Sequence, residues 1–270
     1  MQIRSDDRYG DSSYLNFSTL ADCISYDSYG WMRFNPYKAI TKGNKKRTDA
    51  MDIWTIVDEH FTEWINFYDT YKAVARRSGD DDTELTNSMY NSIDSIIQVI
   101  NEMPYAEDIS FHQYMTRCLS QSTLSDDTLK LKGKLDFYNE EDNKIIDLKC
   151  TGSIDIFLKD LVKFNLSWLS IHHRYLRQLA WYSHLVEINY GTYPRAELLA
   201  VSHAWEPIRI DIPEAERRQA FEVLKWDIEL LRATIASGNT IYTFRPAIKE
   251  TIDDTIETTD DDFLDNDFTI

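Results

Sequence analysis

Apolar residues recur at steps of three and four in several stretches of the chain, and this spacing predicts helices. The predicted helices cover residues 50–75, 86–103, 175–187 and 214–236. Pro104 ends the second helix, and Gly238 follows the last one. Residues 1–47 show no such period and are predicted to be irregular.

Alternation of apolar and polar residues replaces the helical pattern in the middle of the chain. It predicts a strand over residues 129–138, and an apolar run predicts a second strand over 144–149. The polar residues 139–143 join them as the turn of a hairpin. Residues 196–202 form a third predicted strand, and residues 208–212 either extend it or pair with it. The pattern therefore predicts an α/β fold, a short mixed sheet flanked by helices.

Length and composition predict one domain. A chain of 270 residues with 43% hydrophobic residues can bury one substantial core, or at most two small ones. We assign that domain to residues 1–249, with a helical N-terminal part to about residue 105 and a sheet core from 106 to 249. Residues 250–270 hold nine acidic residues and no Lys or Arg, so we predict an acidic, disordered tail.

Other features predict a cytoplasmic protein. No apolar stretch reaches the roughly 18 residues of a membrane span, and the polar N-terminus lacks the core of a signal peptide. The three cysteines have no CxxC spacing, which fits a reducing compartment and gives no zinc signature.

Three charged residues of the predicted hairpin form the candidate catalytic site. Asp136 and Asp147 lie on neighbouring strands, and Asp147 interrupts an otherwise apolar strand, where an acid is costly unless it is paired or binds metal. Lys149 follows at a spacing of two, which places both side chains on one face of the strand. Two carboxylates suffice for Mg²⁺, which keeps several water ligands, and an ammonium beside them can act on a metal-bound water.

These residues resemble the signature of PD-(D/E)XK nucleases, in the branch of RecB and the phage exonucleases. Gly133-Lys134-Leu135-Asp136 followed by Asp147-Leu148-Lys149 is similar to GxxD…(D/E)xK, and residues 178–182 are similar to the QxxxY motif. Residues 53–60 resemble the helix that carries the first metal ligand of this family, and residues 14–20 resemble its opening segment.

The resemblance implies a restriction-endonuclease-like core and a Mg²⁺-dependent DNA exonuclease, with Mn²⁺ able to replace Mg²⁺. It implies roles for the following residues: Asp136, Asp147 and the main-chain carbonyl of Leu148 as metal ligands, Asp58 or His60 as a further ligand, Lys149 acting on the nucleophilic water, and Gln178 and Tyr182 orienting Lys149 or the phosphate. The expected setting is DNA end processing in recombination or replication, in a bacterial or phage-infected cell.

The net charge of −17 is unusual for a protein that binds DNA, since phosphate contacts normally need a basic face. The acidic tail accounts for −9, which leaves −8 for residues 1–249. Two alternatives therefore stay open: an inactive nuclease fold that binds DNA or assembles with it, and an acidic mimic of DNA. The tail itself, with Phe263, Leu264 and Phe268 among its acids, could dock a recombination or single-strand-binding partner.

Overall fold

The computed structural model describes ten stretches of the chain. They are residues 13–26, 32–35, 49–63, 87–106, 108–151, 153–155, 157–159, 173–202, 205–237 and 242–244. The predicted tail, residues 250–270, lies outside them, as do residues 64–75 of the first predicted helix.

The described residues form the following helices and strands, and each kind is numbered in its order along the chain. The helices are α1 (Phe17–Cys23), α2 (Asp49–Thr62), α3 (Asn87–Glu102), α4 (Phe111–Met115), α5 (Arg174–Tyr190) and α6 (Glu214–Ser237). The strands are β1 (Leu15–Asn16), β2 (Ile24–Tyr26), β3 (Met32–Phe34), β4 (Pro104–Ala106), β5 (Ile109–Ser110), β6 (Leu119–Asp126), β7 (Leu131–Asn139), β8 (Lys144–Cys150), β9 (Arg195–Ser202), β10 (Trp205–Asp211) and β11 (Tyr242–Phe244).

A six-stranded mixed sheet forms the centre of the fold, in the order β1-β7-β8-β9-β10, with β6 also paired to β7. Strands β8 and β9 run parallel and pair from Lys144 opposite Arg195 to Cys150 opposite Val201. Strands β7 and β8 pair antiparallel only near their turn, from Asn139 opposite Lys144 to Phe137 opposite Ile146. At its beginning, residues 131–132, β7 pairs in parallel with β1. The sheet therefore opens between β1 and β8, beside residues 133–136 of β7.

Helices cover both faces of this sheet. On one face, α5 and α6 pack through Leu179, Trp181 and Leu224 against Leu135 and Ile145 of the sheet. On the other face, the apolar side of α2, α3 and α4 packs on residues of β7, β8 and β9, which include Phe137, Ile146, Leu148 and Leu199. Burial of these side chains drives the assembly of the three layers. The fold is the α/β arrangement that the apolar and polar pattern predicts.

Most predicted elements are confirmed within a few residues of their expected ends. Helices α3, α5 and α6 and strands β7, β8 and β9 match, and the segment after β9 pairs with it antiparallel as β10. The prediction of irregular structure for residues 1–47 was wrong where α1, β1, β2 and β3 form. Strand β6 was missed, because its sequence LSQSTLSD has few apolar side chains and no clear alternation.

Gly133 of β7 lets α5 approach the sheet closely. A Cβ atom at this position would lie 2.7 Å from Cδ1 of Leu185 and 3.1 Å from Cε1 of Tyr182. Both side chains are buried in the core on this face. The glycine of the GxxD motif and the tyrosine of the QxxxY motif are thus in contact, and the small residue is needed for the packing of α5 rather than for a turn.

The Gly133→Ala variant should therefore be less stable than the wild type by about 1–3 kcal/mol, as expected for an overpacked core. Urea denaturation measures this loss. In the double variant Gly133→Ala, Leu185→Val, the shorter side chain at 185 should recover part of it, so that the two losses are not additive. Equal stability of Gly133→Ala and wild type, or strictly additive losses, would show that this contact does not limit the packing.

Candidate functional site

The opening in the sheet holds a pocket of about 290 Å³. Residues of α2, β7 and β8 line it: Trp54, Thr55, Asp58, Asp136, Leu148, Lys149 and Cys150. The short pairing of β7 with β8 creates this opening, since the two strands share no ladder beyond Phe137 and Ile146. The site that the sequence places on the hairpin therefore lies where its two strands separate.

Strand β8 brings the acid and the lysine of the DxK motif together. Nζ of Lys149 lies 2.5 Å from Oδ2 of Asp147, as the period of two in a strand requires. The Asp147 side chain is 1% exposed and the Lys149 side chain 16%. Oδ1 of Asp147 is buried and has no hydrogen-bond partner among the described residues. A buried carboxylate oxygen without a donor is costly, and a bound cation would satisfy it.

Asp136 approaches the same point from β7. Its Oδ2 accepts a hydrogen bond of 2.9 Å from the main-chain N–H of Leu148, the residue between Asp147 and Lys149. Burial raises the pKa of Asp136 well above its ordinary value, and the neighbouring Asp147 raises it further, while Lys149 opposes the shift. Two carboxyl groups so close to one another in a poorly solvated place favour uptake of either a proton or a cation.

Helix α2 contributes Asp58. Burial raises the pKa of this carboxyl group to about 6, with Lys149 lowering it and Asp147 raising it. Trp54, Thr55 and Asp58 occupy one face of α2, because they are three and four residues apart, and this face lines the pocket. His60 does not line it and packs its ring 4.7 Å from that of Phe61. The geometry therefore places Asp58, rather than His60, at the site.

Lys149 keeps its positive charge in this environment. Burial alone would lower the pKa of its ammonium group, but Asp147 and Asp136 more than compensate, and the net shift is upward. The adjacent Cys150 behaves differently, since burial raises the pKa of its thiol well above the ordinary value and keeps it protonated. Lys149 is thus a cation that faces three acids, Asp58, Asp136 and Asp147.

The ligand set that the sequence predicts is only partly assembled. Within the part of the chain that the structure describes, no three His, Cys, Asp or Glu side chains converge as a finished metal-binding group. Asp147 lies close enough to Asp58 and Asp136 to raise the pKa of each, and Leu148 also lines the pocket. Oxygen donors of this kind suit Mg²⁺ or Mn²⁺, and Mg²⁺ needs few protein ligands because it retains water. The donor set therefore fits such an ion.

Gln178 and Tyr182 lie on α5, one turn apart. Nε2 of Gln178 donates a hydrogen bond of 3.0 Å to the hydroxyl of Tyr182. Tyr182 packs against Gly133, and neither residue is part of the pocket lining. A different residue of α5 approaches Lys149: the ring centroid of Tyr175 is 5.6 Å from its Nζ atom. Sequence reasoning missed Tyr175, and no motif in the sequence points to it.

The raised pKa of Asp58 predicts how pH changes the stability of the metal-free protein. The folded state binds this proton more tightly than the unfolded state, so its stabilising contribution is complete below about pH 4 and is lost as pH rises through about 6. Asp58→Asn removes the charge and should raise the free energy of unfolding at pH 7 on the order of 1–2 kcal/mol. Urea denaturation in a chelator at pH 7 and at pH 5 measures the difference from wild type.

This difference should shrink at pH 5, where the wild-type carboxyl group is largely protonated. Comparing the two proteins at each pH cancels the contributions of other groups, such as Asp126. Burial raises the pKa of that carboxyl group, but hydrogen bonds from His184 and the main chain lower it, and the net shift is downward. If the difference in the free energy of unfolding is constant with pH, or grows toward pH 5, the pKa of Asp58 is not raised in the folded protein.

Comparison with known proteins identifies a family and a similar solved structure. The sequence profile of a family described as "PDDEXK-like domain of unknown function (DUF3799)" matches residues 35–231. A crystal structure from Eubacterium rectale, described as that of a "Putative exonuclease", superimposes with a TM-score of 0.62. It is 19% identical in sequence, and the match covers 93% of this chain and 92% of that one. No curated protein sequence matches this chain.

The two similarities agree with the architecture described above. The matched region of the profile contains α2 through most of α6, and with them every residue that lines the pocket. The similar structure has almost the same extent, so the likeness includes both helical layers and the sheet. Across the described stretches, no helix combines the length and apolar character needed to cross a membrane.

Proposed function

Because the chain belongs to the PDDEXK-like family DUF3799, and through it to the PD-(D/E)XK superfamily of nucleases, we propose that it is a Mg²⁺-dependent DNA exonuclease. One observation carries the proposal. Asp147 is a buried acid with an unpartnered oxygen, beside a second carboxyl group, that of Asp136, and an ammonium group, that of Lys149. A buried carboxylate oxygen without a donor, beside a second carboxyl group at the opening of the sheet, is an arrangement that a divalent cation would satisfy.

Asp136 and Asp147 would hold the ion, with the main-chain carbonyl of Leu148 as a further ligand. Asp58 is the preferred third side chain, since it lines the pocket and His60 does not. A bound divalent ion supplies a nucleophilic water at neutral pH and positive charge next to the phosphate. Mn²⁺ should replace Mg²⁺, because both prefer carboxylate, carbonyl and water oxygens.

Lys149 is the proposed catalytic residue. Its ammonium group lies at the pocket, stays protonated, and can donate hydrogen bonds to a water or to a phosphate oxygen. In that position it would orient the attacking water and stabilise the negative charge that develops in the transition state. Its ion pair with Asp147, which lies on the same face of β8, fixes the position of the ammonium group.

The proposed role of Gln178 and Tyr182 is more indirect. Tyr182 packs against Gly133, three residues before Asp136 on the same strand, and Gln178 donates its hydrogen bond to Tyr182. We propose that this pair fixes the strand that carries Asp136. Direct orientation of Lys149 or of the phosphate by either side chain stays a prediction of the motif.

DNA ends are the proposed substrate, in recombination or replication. The preference for exonuclease action comes from the resemblance of residues 133–182 to the GxxD…DxK…QxxxY order of the RecB and phage exonuclease branch. The similar structure is described with the word exonuclease, and at 19% identity it supports the fold. One nuclease domain over residues 1–249, a cytoplasmic location and a partner bound by the tail remain predictions.

Incubation of the purified protein with linear and with covalently closed circular DNA tests the proposal. Linear DNA should be degraded when Mg²⁺ or Mn²⁺ is present and should survive in a chelator, while closed circles persist. Cutting of closed circles would indicate an endonuclease. Binding of DNA without cleavage under all conditions would favour an inactive fold, and displacement of DNA from another protein without any metal would favour an acidic mimic.

A further inference from the structure

The Lys149 ammonium group has two close neighbours. Oδ2 of Asp147, on β8, lies 2.5 Å from its Nζ atom, and the ring of Tyr175, from the first turn of α5, has its centroid at 5.6 Å. An ammonium group is attracted to the face of an aromatic ring by the ring's quadrupole. With only 16% of its side chain exposed, Lys149 has little water to compete with these contacts.

The Tyr175 ring is fixed by its own neighbours. Its centroid lies 5.4 Å from that of Phe157 and 5.2 Å from that of His173. His173 is the N-cap of α5, and its Nδ1 accepts a hydrogen bond of 3.3 Å from the main-chain N–H of Tyr175. Contacts at the start of α5, which do not include Lys149, therefore fix the position of the ring.

Asp147 and the Tyr175 ring, which both contact Lys149, differ in whether they would also bind a divalent cation. Under the function proposed above, Asp147 also has to offer its oxygens to a divalent cation, and this weakens its hold on the ammonium group. The face of the Tyr175 ring does not compete for the ion in this way, because hard cations such as Mg²⁺ prefer oxygen ligands to an aromatic face. The ring can therefore keep the Lys149 ammonium group in place when Asp147 binds the divalent cation.

We propose that Tyr175 is a positioning residue for the reaction, which holds the Lys149 ammonium group at the pocket through the face of its ring. The inference rests on the proposed function for its catalytic part. The contact itself does not, since it joins only two side chains of this chain. It assigns a role to a residue outside both the DxK and the QxxxY motifs.

Nuclear magnetic resonance of protein carrying ¹³C-labelled lysine tests the contact in the absence of metal and DNA. The Lys149 ε-methylene signal, assigned by its loss in Lys149→Arg, should be shifted upfield by the ring current of Tyr175. Tyr175→Phe should keep this shift, and Tyr175→Leu should move the signal toward the position of an exposed lysine such as Lys225. An unchanged signal in Tyr175→Leu would overturn the proposal. If that variant does not fold, Tyr175→Met serves in its place with the same expectation.

Steady-state kinetics tests the catalytic part. In Tyr175→Leu, kcat should fall about tenfold, as expected for a misplaced catalytic group, while KM stays within about twofold. Tyr175→Phe should restore at least about half of the wild-type kcat. Tyr190→Leu is the control, because Tyr190 lies on the same helix and packs a ring against Tyr138, away from the pocket. It should leave kcat and KM unchanged.

Two kinetic outcomes would overturn the role of the ring: an equal loss in the Phe and Leu variants, or a change in KM alone. Failure of the wild type to cleave DNA would instead remove the nuclease proposal. In that event the ring-current measurement still decides whether Tyr175 holds Lys149, so the two failures can be told apart.

Discussion

Replacing Lys149 by methionine should lower the rate of DNA cleavage at least about a hundredfold, the size of effect typical for loss of a general acid–base group or of a charge that stabilises the transition state. Methionine keeps most of the side-chain volume, but it removes the ammonium group and with it the cation–π contact with Tyr175. Asp147→Asn should cause a comparable loss, since it removes a ligand charge while it keeps the shape of the side chain. Cleavage of end-labelled linear DNA under single-turnover conditions measures both variants.

The control for Lys149 is Lys225→Met. Lys225 is an exposed lysine of α6 that pairs with Glu222, and its loss should leave the rate within about twofold, as usual for a surface substitution. Because Lys149→Met leaves Asp147 without its described ion pair, circular dichroism and urea denaturation should accompany the assay. If folded Lys149→Met or Asp147→Asn cuts DNA as fast as the wild type, the site assignment is wrong.

Glu197→Ala should have the largest effect on stability, a loss of about 3–5 kcal/mol in the free energy of unfolding. Glu197 lies on β9 and is 1% exposed. Its Oε2 pairs with Nζ of Lys144 at 2.7 Å and with Nη2 of Arg209 at 2.9 Å, so one acid joins β8, β9 and β10. Alanine would leave the buried Lys144 with only the hydroxyl of Tyr105 as a described polar partner, at 2.9 Å.

Glu187→Ala is the matched control. Glu187 also pairs with an arginine, Arg218, but it is 37% exposed, and exposed ion pairs contribute about 0–1 kcal/mol. Urea denaturation of both variants gives the comparison. If Glu197→Ala loses no more free energy of unfolding than Glu187→Ala does, the buried ion pairs of Glu197 do not stabilise the fold as we predict. Cleavage by the Glu197→Ala protein that remains folded should be close to wild type, because Glu197 does not line the pocket.

The geometry of the hairpin could be predicted from the sequence. A strand period of two places Asp147 and Lys149 on one face, and they form an ion pair. The polar turn sets the register in which Phe137 faces Ile146, which brings Asp136 next to Asp147. These are local consequences of strand geometry and turn length, so they require no knowledge of the remaining fold.

The choice between Asp58 and His60 could not be made from the sequence. Both residues lie on α2, which matches the first half of the helix predicted over residues 50–75. Only the way in which α2 packs on the sheet decides which of its faces meets the pocket. The same reason explains why Tyr175 was missed. Its contact with Lys149 depends on where α5 begins relative to β8, and this position follows from tertiary packing.

Glu197 shows a second limit of sequence reasoning. An acid inside an apolar strand was the signal that singled out Asp147, and the same signal is present at Glu197 in the strand Arg195–Ser202. The structure separates the two acids. Both oxygens of Glu197 pair with basic groups, whereas Oδ1 of Asp147 has no hydrogen-bond partner among the residues described. The unsatisfied oxygen, rather than burial alone, distinguishes the candidate metal site from a structural ion pair.

Calorimetric titration of Mn²⁺ into the metal-free protein tests the central claim most directly. Wild type should bind Mn²⁺, and Asp136→Asn and Asp147→Asn should each weaken binding at least about tenfold, since each removes one carboxylate charge from the site. His60→Gln and Glu187→Gln should bind as the wild type does, because neither residue lines the pocket. Equal Mn²⁺ affinity of wild type and both Asp variants would show that this pair of carboxylates does not hold the ion.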